Sequence, residues 1–233
     1  MSDLRSRRGF AGAGSGHGQS VVEYALLVSL VAGALALAMA LMGISVRGVY
    51  CSVARGLGSD AMCGVYFSDG FDDLSGWFVE RGKWRVSDGL LHGGRGEGRI
   101  YRDVDADDYT ITIDGASLAK GRGYGVFFRT DPGPPMNGYS FQYDPGWGAG
   151  AFVMRKWVHG HELSPFAVAR APGFDWYGED RQVQVGVDGD HFTAIIDGEI
   201  VLEGSDDTFG SGGIGLRTWG GSDVSFDGVV VTP

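Results

Sequence analysis

The chain has 233 residues, a formal net charge of −10 and 43% hydrophobic residues. This length accommodates a membrane-spanning segment and one sizeable domain. The acidic balance argues against a nucleic-acid-binding protein and fits an exported, soluble surface. The first 18 residues carry +2, so the rest of the chain carries −12.

The first predicted element is a long apolar helix. The stretch Ala25 to Ile44 contains no charged residue, and as a helix it would be roughly 30 Å long, the thickness of a bilayer hydrocarbon core. Arg5, Arg7 and Arg8 precede it, and such a basic flank stays on the cytoplasmic side. An uncleaved signal anchor explains these features, but it does not require Glu23, a carboxylate at the edge of the run.

The residues around Glu23 read Gly-Gln-Ser-Val-Val-Glu-Tyr, from position 18 to position 24. This stretch resembles the prepilin-peptidase site of type IVb pilins of the Flp (Tad) kind, and the resemblance covers about residues 16–57. It implies a peptidase cleavage pair and an assembly pair, which are Gly18 with Gln19 and Glu23 with Tyr24.

Cleavage there would leave an α-amine on Gln19 that is mostly protonated at neutral pH. In a packed filament core this ammonium needs a counter-charge, which Glu23 of a neighbouring subunit supplies. The resemblance implies other pilin subunits, prepilin peptidase and the inner-membrane assembly machinery as partners. It also implies a location in the cytoplasmic membrane before assembly, and then in an extracellular pilus on the cell surface.

Two cysteines follow the apolar run, Cys51 and Cys63. In an oxidising compartment a disulfide is the natural interpretation, and closing this loop would stabilise by about 3 kcal/mol. Two free thiols are the alternative, and a metal site is disfavoured because no histidine lies near. The predicted organisation is a leader over 1–18, a pilin-like helix over 19–57, a linker over 58–65 and a β-domain over 66–233.

From Val65 onward, alternating hydrophobicity replaces the continuous apolar run. It is clearest over Tyr109–Ile113, Gln182–Val187 and Phe192–Ile196, and Asp-Gly pairs such as that at Asp88 mark hairpin turns between such stretches. This pattern predicts an all-β domain of two packed sheets, a sandwich or jelly roll.

Several of these stretches resemble the concanavalin A-like (laminin-G-like) jelly rolls. The resembling segments are Trp84–Leu90, Tyr124–Arg129, Asn137–Tyr143, Val187–Gly198, Gly213–Arg217 and Val224–Val231. The resemblance implies that the first and last strands pair. It says little about function, because this superfamily includes lectins, hydrolases and adhesion modules.

The sequence does not predict an enzyme. Glycosidases of this fold commonly carry a Glu-x-Asp-x-Glu strand motif that supplies paired carboxylates, and no such motif is present. The acidic residues cluster in predicted turns such as Asp72-Asp73 and Asp206-Asp207, where solvated turn chemistry explains them. The stretch Gly121–Gly125 precedes a strand pattern, so it predicts a strand-entry turn and no nucleotide site.

Carbohydrate binding is the favoured activity, because sugar sites combine aromatic faces with polar groups. We expect Tyr139 and Tyr143 to share one strand face and Gln142 the opposite one. Some of the aromatic candidates will belong to the core, whereas Trp147, beside proline and glycine, is expected to be exposed. The candidate residues are Arg129, Tyr139, Gln142, Tyr143, Trp147, Arg155, Trp157, His159, His161, Trp176 and Trp219.

The sequence offers two candidate metal sites. His159 and His161 would face the same way on one strand, but a lone pair of histidines is a weak zinc signal, and a loop or groove role is favoured. A structural Ca²⁺ near the pairing termini would draw hard oxygen ligands from Asp69, Asp72 and Asp227. No other cofactor is expected.

Together these features predict a long N-terminal pilin-like α-helix followed by an all-β jelly-roll sandwich. The predicted function is a Tad-like pilus subunit that displays this domain for adhesion or glycan binding. The alternative is a signal-anchored extracellular lectin-like protein or glycan hydrolase without a filament role.

Overall fold

The computed structural model describes residues 24–26, 28–31, 64–94, 96–104, 106–131, 133 and 135–233. Helix is found at 24–26 and 28–31, where Tyr24 is exposed. Within these described stretches, no helix has the length and apolarity needed to cross a bilayer. The rest of the predicted pilin helix, the residues Gly18, Gln19 and Glu23, and both cysteines lie outside the described residues.

The chain divides into two compact units at residue 63, and the second, residues 64–233, is a β-sandwich. In chain order its strands are β1 Phe67–Asp69, β2 Phe78–Arg81, β3 Trp84–Ser87, β4 Leu90–Gly93, β5 Gly98–Arg102, β6 Tyr109–Lys120, β7 Tyr124–Asp131, β8 Asn137–Asp144, β9 Ala151–Val158, β10 His161–Arg170, β11 Asp180–Asp188, β12 His191–Ile196, β13 Glu199–Ser205, β14 Gly213–Thr218 and β15 Asp223–Thr232.

These strands form two antiparallel sheets. The eight-stranded sheet has the order β13-β12-β11-β6-β15-β4-β3, with β1 also paired to β15, and the seven-stranded sheet has the order β10-β9-β8-β7-β14-β5-β2. The first strand pairs with the last, Phe67 opposite Val231. The expected all-β jelly-roll architecture and the expected pairing of its ends are therefore confirmed.

Local sequence signals account for the hairpins. Asp88-Gly89 connects β3 to β4 and Asp197-Gly198 connects β12 to β13, each as a two-residue loop. All four residues have positive φ, between 53° and 85°, which is the backbone of the hairpin turn that Asp-Gly favours. The three stretches of clearest alternation lie within β6, β11 and β12.

One apolar core fills the space between the sheets. Most strands contribute alternate side chains to it, as in β6, where Tyr109, Ile111 and Ile113 are buried and the threonines between them are half-buried. The seven-stranded sheet contributes mostly aromatic rings, among them Tyr124 and Tyr143, stacked with centroids 4.7 Å apart. Because strand side chains alternate, the remaining residues of this sheet point away from the core, to its outer face.

Candidate functional site

The outer face of the seven-stranded sheet has its own small apolar cluster, made of Tyr101, Phe127, Met136 and Trp157. Its members are at most 2% exposed although they do not belong to the main core. Gly215 lies beside them in β14, where a Cβ atom would approach Tyr101 Cδ1 to 2.6 Å. A side chain at this position would therefore displace the tyrosine ring, and glycine allows the rings to lie flat against the sheet.

Two arginines cover this cluster. The guanidinium carbons of Arg99 and Arg217 each lie 4.7 Å from the centre of the Trp157 ring. The Trp157 indole N–H donates to the Ser140 hydroxyl at 3.0 Å, which fixes the orientation of the ring. Stacked arginines keep their planar N–H groups free for carboxylates, so the face combines an aromatic base with a layer of charge.

Carboxylates complete this layer. Arg217 donates from Nε to Glu97 at 3.0 Å and from Nη1 to Glu162 at 2.9 Å. Arg99 donates to the same Glu97 oxygen at 3.0 Å and forms a longer ion pair with Glu80 at 3.4 Å. The two arginine side chains are about 10% exposed and the three carboxylates about 25%, so these ion pairs are partly desolvated and less screened by solvent and salt than surface pairs.

Tyr101 lies under this layer and acts as a hydrogen-bond donor. Its hydroxyl oxygen lies 3.1 Å from a Glu80 carboxylate oxygen. Burial, together with the negative charge of Glu80, raises the pKa of Tyr101 well above its usual value. The phenol therefore stays protonated and donates to the carboxylate.

At one end of the outer face, two tryptophans flank an open depression of about 390 Å³. Trp147 comes from the loop after β8 and Trp219 from the turn after β14, and both are half-buried. Each ring is backed by an arginine, with Arg155 at 4.4 Å from the Trp147 centroid and Arg217 at 4.7 Å from the Trp219 centroid. The guanidinium groups hold the rings in place at the edge of the depression.

The turns that carry these side chains are tied together by one buried hydroxyl. Ser222 Oγ accepts the backbone N–H groups of Arg122 and Gly123 and lies 2.6 Å from the carbonyl oxygens of Gly123 and Trp219. This contact joins the turn before β7 to the turn after β14. It explains why Arg122 and Trp219, nearly 100 residues apart, line the same depression.

Asp144 is the buried acid of the depression, with a residue exposure of 8%. Burial raises the pKa of its carboxyl above the ordinary value, although the backbone N–H groups of Gly146 and Trp147 and the charge of Arg155 act in the opposite direction. A carboxyl group that is costly to ionise, in a depression with two aromatic rings, is a candidate functional residue.

Five of the eleven predicted binding residues belong to this face. Gln142 links Arg155, which donates to its Oε1 at 3.2 Å, to Glu162, which accepts from its Nε2. The other members are Trp147, Trp157 and Trp219. Trp147 is only half-buried, in agreement with the exposure expected of it, whereas Trp157 is covered by the arginines.

Four predicted residues lie elsewhere. Tyr139 and Tyr143 point into the main core, because their strand positions alternate with those of the outer face, and Trp176 reaches the same core from the loop between β10 and β11. Arg129 is 4% exposed and donates to the carbonyl oxygens of Asp107 and Phe209. It connects loops at another edge of the sandwich, so these four side chains do not line the depression.

The two histidines do not share a strand face, and His159 lies in a turn, which fits the loop role favoured by the sequence. His159 and Gly160 form the two-residue turn between β9 and β10, both with positive φ, and His161 is the first residue of β10. The Gly160 backbone permits this tight turn, which separates the two rings and removes the basis for a paired-histidine site.

The predicted calcium ligands have other roles. Both carboxylate oxygens of Asp69 are occupied at 2.8 Å, one by the N–H of Phe71 and the other by the indole N–H of Trp77. Asp72 and Asp227 are exposed. In the parts of the chain that the structure covers, no group of three or more His, Cys, Asp or Glu residues is arranged to hold a metal ion. The described residues therefore show no Ca²⁺ site at Asp69, Asp72 and Asp227.

The sequence did not predict most of the charged residues of the face. Their partners are far apart in the chain, as in the pair of Glu97 with Arg217, so no local motif marks them. The weak signal available was alternation, since each strand member occupies the side opposite a core residue. The residues missed are Glu80, Glu97, Arg99, Tyr101, Arg122, Asp144, Glu162, Arg217 and Ser222.

Most of the chain matches a known family. Residues 66–232 match the family described as the 3-keto-alpha-glucoside-1,2-lyase-like domain. No match was found among curated proteins.

Solved structures share the fold. The carbohydrate binding module CBM66 from Bacillus subtilis aligns with a TM-score of 0.58 and 22% identity, over 68% of this chain and 96% of the module. The β-glucanase of Bacillus licheniformis aligns with a TM-score of 0.54 and 14% identity, over 73% of this chain and 99% of the glucanase. The exoplasmic/lumenal domain of VIP36, in a form bound to Ca²⁺ and Man3GlcNAc, aligns with a TM-score of 0.52 and 14% identity. The alignment covers 71% of this chain and 87% of the VIP36 domain.

Proposed function

The chain belongs, over residues 66–232, to the family of 3-keto-alpha-glucoside-1,2-lyase-like domains, and we propose that this domain binds carbohydrate. The binding site is the depression at the end of the outer face. The observation that carries this proposal is the pair Trp147 and Trp219, which line one depression with the buried Asp144 and are each held by a stacked arginine.

The chemistry of the depression suits a sugar ring. The C–H groups on one side of a pyranose pack on an indole face, and its hydroxyls donate to a carboxylate or accept from a guanidinium. Asp144 offers acceptors, and Arg122 offers donors that are not committed to an ion pair with any described residue. A volume of about 390 Å³ accommodates one or two sugar units.

Two proteins of similar fold that bind carbohydrate support this proposal. CBM66 is a carbohydrate binding module, and the VIP36 domain was observed with a mannose-containing glycan. The acids of the outer face also favour binding over cleavage, because Glu80, Glu97 and Glu162 are each engaged by an arginine. We therefore propose a binding protein and not an enzyme.

A glycan array followed by titration tests this function. We expect the protein to bind a defined group of glycans, and Trp147→Ala or Trp219→Ala to weaken that binding by about tenfold or more, because a central aromatic contact is lost. Ile200→Ala is the matched control, since it removes an exposed apolar side chain on β13 in the other sheet. Unchanged affinity in both tryptophan variants would exclude this depression as the site.

A lyase activity is the second candidate, favoured by the family description and by the raised pKa of Asp144. A lyase needs a base to remove a proton, and a carboxylate in a desolvated position is a stronger base than one in water. Turnover of 3-keto-α-glucosides that disappears in Asp144→Asn would support this candidate over simple binding.

For the N-terminal segment we propose a pilin role, supported by the motif from Gly18 to Tyr24. The chain would be cleaved after Gly18, assembled in the cytoplasmic membrane and displayed outside the cell. N-terminal sequencing of the mature protein should begin at Gln19, and Glu23→Ala should abolish filament assembly. A mature protein with another N-terminus would favour the signal-anchored alternative, in which the same β-domain is displayed without a filament.

A further inference from the structure

A second and larger depression, of about 880 Å³, lies where β2 and β3 form the free edges of the two sheets. Trp84 and Val79 supply its apolar surface, and Lys83 and Arg85 supply its positive charge. We call it the edge groove. The Trp84 indole N–H donates to the carbonyl oxygen of Arg81 at 3.1 Å, so the ring is fixed at this edge.

A glycine-rich loop keeps the edge groove open. Residues 93–98 read Gly-Gly-Arg-Gly-Glu-Gly and lead from β4 in one sheet to β5 in the other. At Gly94 a Cβ atom would come within 2.6 Å of the Lys83 carbonyl oxygen. A larger residue at this position would push the loop away from Lys83 and alter the shape of the groove.

The edge groove is cationic on an acidic protein. Its described lining carries two basic residues, Lys83 and Arg85, and one acid, Glu97, whereas the whole chain carries −10. The single acid that lines the groove, Glu97, is already engaged, since its Oε1 accepts from Nε of Arg99 and Nε of Arg217, each at 3.0 Å. Lys83 and Arg85 are exposed and form no ion pair with any described residue, so their charge is available to a ligand.

Glu97 also connects the edge groove to the outer face. It lines the groove and holds Arg217, whose guanidinium stacks on Trp219 at the edge of the other depression. A polymer seated between Trp147 and Trp219 would reach the groove by crossing the layer of arginines. Its anionic groups would then meet two uncommitted cations, and its apolar faces would meet Val79 and the exposed edge of Trp84, whose ring is otherwise buried in the main core.

We propose that the edge groove binds the carboxylate groups of a polyuronate, an acidic polysaccharide whose chain continues from the carbohydrate site of the outer face. This inference rests on the proposed function and names its ligand class. Non-specific attraction does not produce such binding, because the net charge of the protein repels a polyanion.

The test compares two polymers with the same backbone, polygalacturonate and its fully methyl-esterified, uncharged form, with alginate as a second polyuronate. With the full chain, we expect tighter binding of the acidic form and a preference that declines as salt is added. Lys83→Gln should weaken binding of the acidic form by about twofold to fivefold and leave the ester unaffected. The double variant Lys83→Gln/Arg85→Gln should lose more affinity for the acidic form than Lys83→Gln alone.

Lys120→Gln is the matched control, because it also removes one exposed lysine, but from β6, away from the edge groove. Equal effects of Lys83→Gln and Lys120→Gln, equal affinity for acid and ester, or no binding to either polyuronate would each overturn the inference. Trp147→Ala separates the two proposals. If Trp147→Ala has no effect while Lys83→Gln weakens binding, the edge groove is supported and the outer-face site is refuted. If Trp147→Ala weakens binding while Lys83→Gln has no effect, only the edge groove is refuted.

Discussion

At the scale of single residues, the depression depends on groups that are costly to maintain. Asp144 is held almost out of solvent, and its pKa is raised by that burial. The carboxylate is therefore less stable in the folded protein than in the unfolded chain at neutral pH. Because Asp144 also lines the depression, it is a candidate for ligand binding, and its substitution tests this role.

This cost gives a prediction for Asp144→Asn. The amide oxygen still accepts the neighbouring backbone N–H groups, and no buried charge remains. Because the folded pKa lies above the unfolded value, the native carboxylate lowers stability as pH rises through both values, and it has no such effect below about pH 4. We expect the variant to be at least as stable as the native protein at pH 7, to lose this advantage in acid, and to bind glycan poorly.

Thermal unfolding between pH 3 and pH 8, together with glycan titration, checks this prediction, with the exposed Asp207→Asn as control. A variant that unfolds more easily at pH 7 would mean that the Asp144 carboxylate is a structural group. Unchanged glycan binding by Asp144→Asn would show that the Asp144 carboxylate is not part of the binding site.

At the scale of elements, the sequence predicted the turns and strands, whose structure depends on contacts between neighbouring residues. The Asp-Gly turns and the alternating stretches were found where the sequence placed them, because turn backbone and strand faces depend on neighbouring residues. His159 lies in the turn between β9 and β10, which fits the loop role that the sequence favoured over a shared strand face. The charged layer was not predicted, because ion pairs such as that of Arg217 with Glu162 join strands distant in the sequence.

The close packing of β14 gives a prediction for Gly215→Ala. The added methyl group would lie 2.6 Å from both the Ile100 carbonyl oxygen and Tyr101 Cδ1. We expect a loss of about 1–3 kcal/mol in the free energy of unfolding, because both atoms belong to a packed sheet and cannot easily move.

Gly186→Ala is the matched control for this substitution. It lies in β11 of the other sheet, and its added methyl group would meet nothing closer than 3.9 Å. Denaturant unfolding of the two variants measures the difference. Equal stability would contradict the packing described for the outer face.

At the scale of the whole molecule, the fold leaves one sheet with a face that is neither core nor plain surface. The seven-stranded sheet carries aromatic rings on both sides, and on the outer side arginines and glutamates cover them. The fold class followed from composition and alternation. The position of the site did not, because it depends on how the turns around Arg122, Trp147 and Trp219 meet at one end of the sandwich.

The most direct measurement is an NMR titration of the indole N–H signals of the six tryptophans with the glycan that the array identifies. The account predicts that the signals of Trp147 and Trp219 shift most. Those of Trp77 and Trp176, which belong to the main core, should remain in place. Unmoved signals for both Trp147 and Trp219 at saturating glycan would contradict carbohydrate binding at this depression.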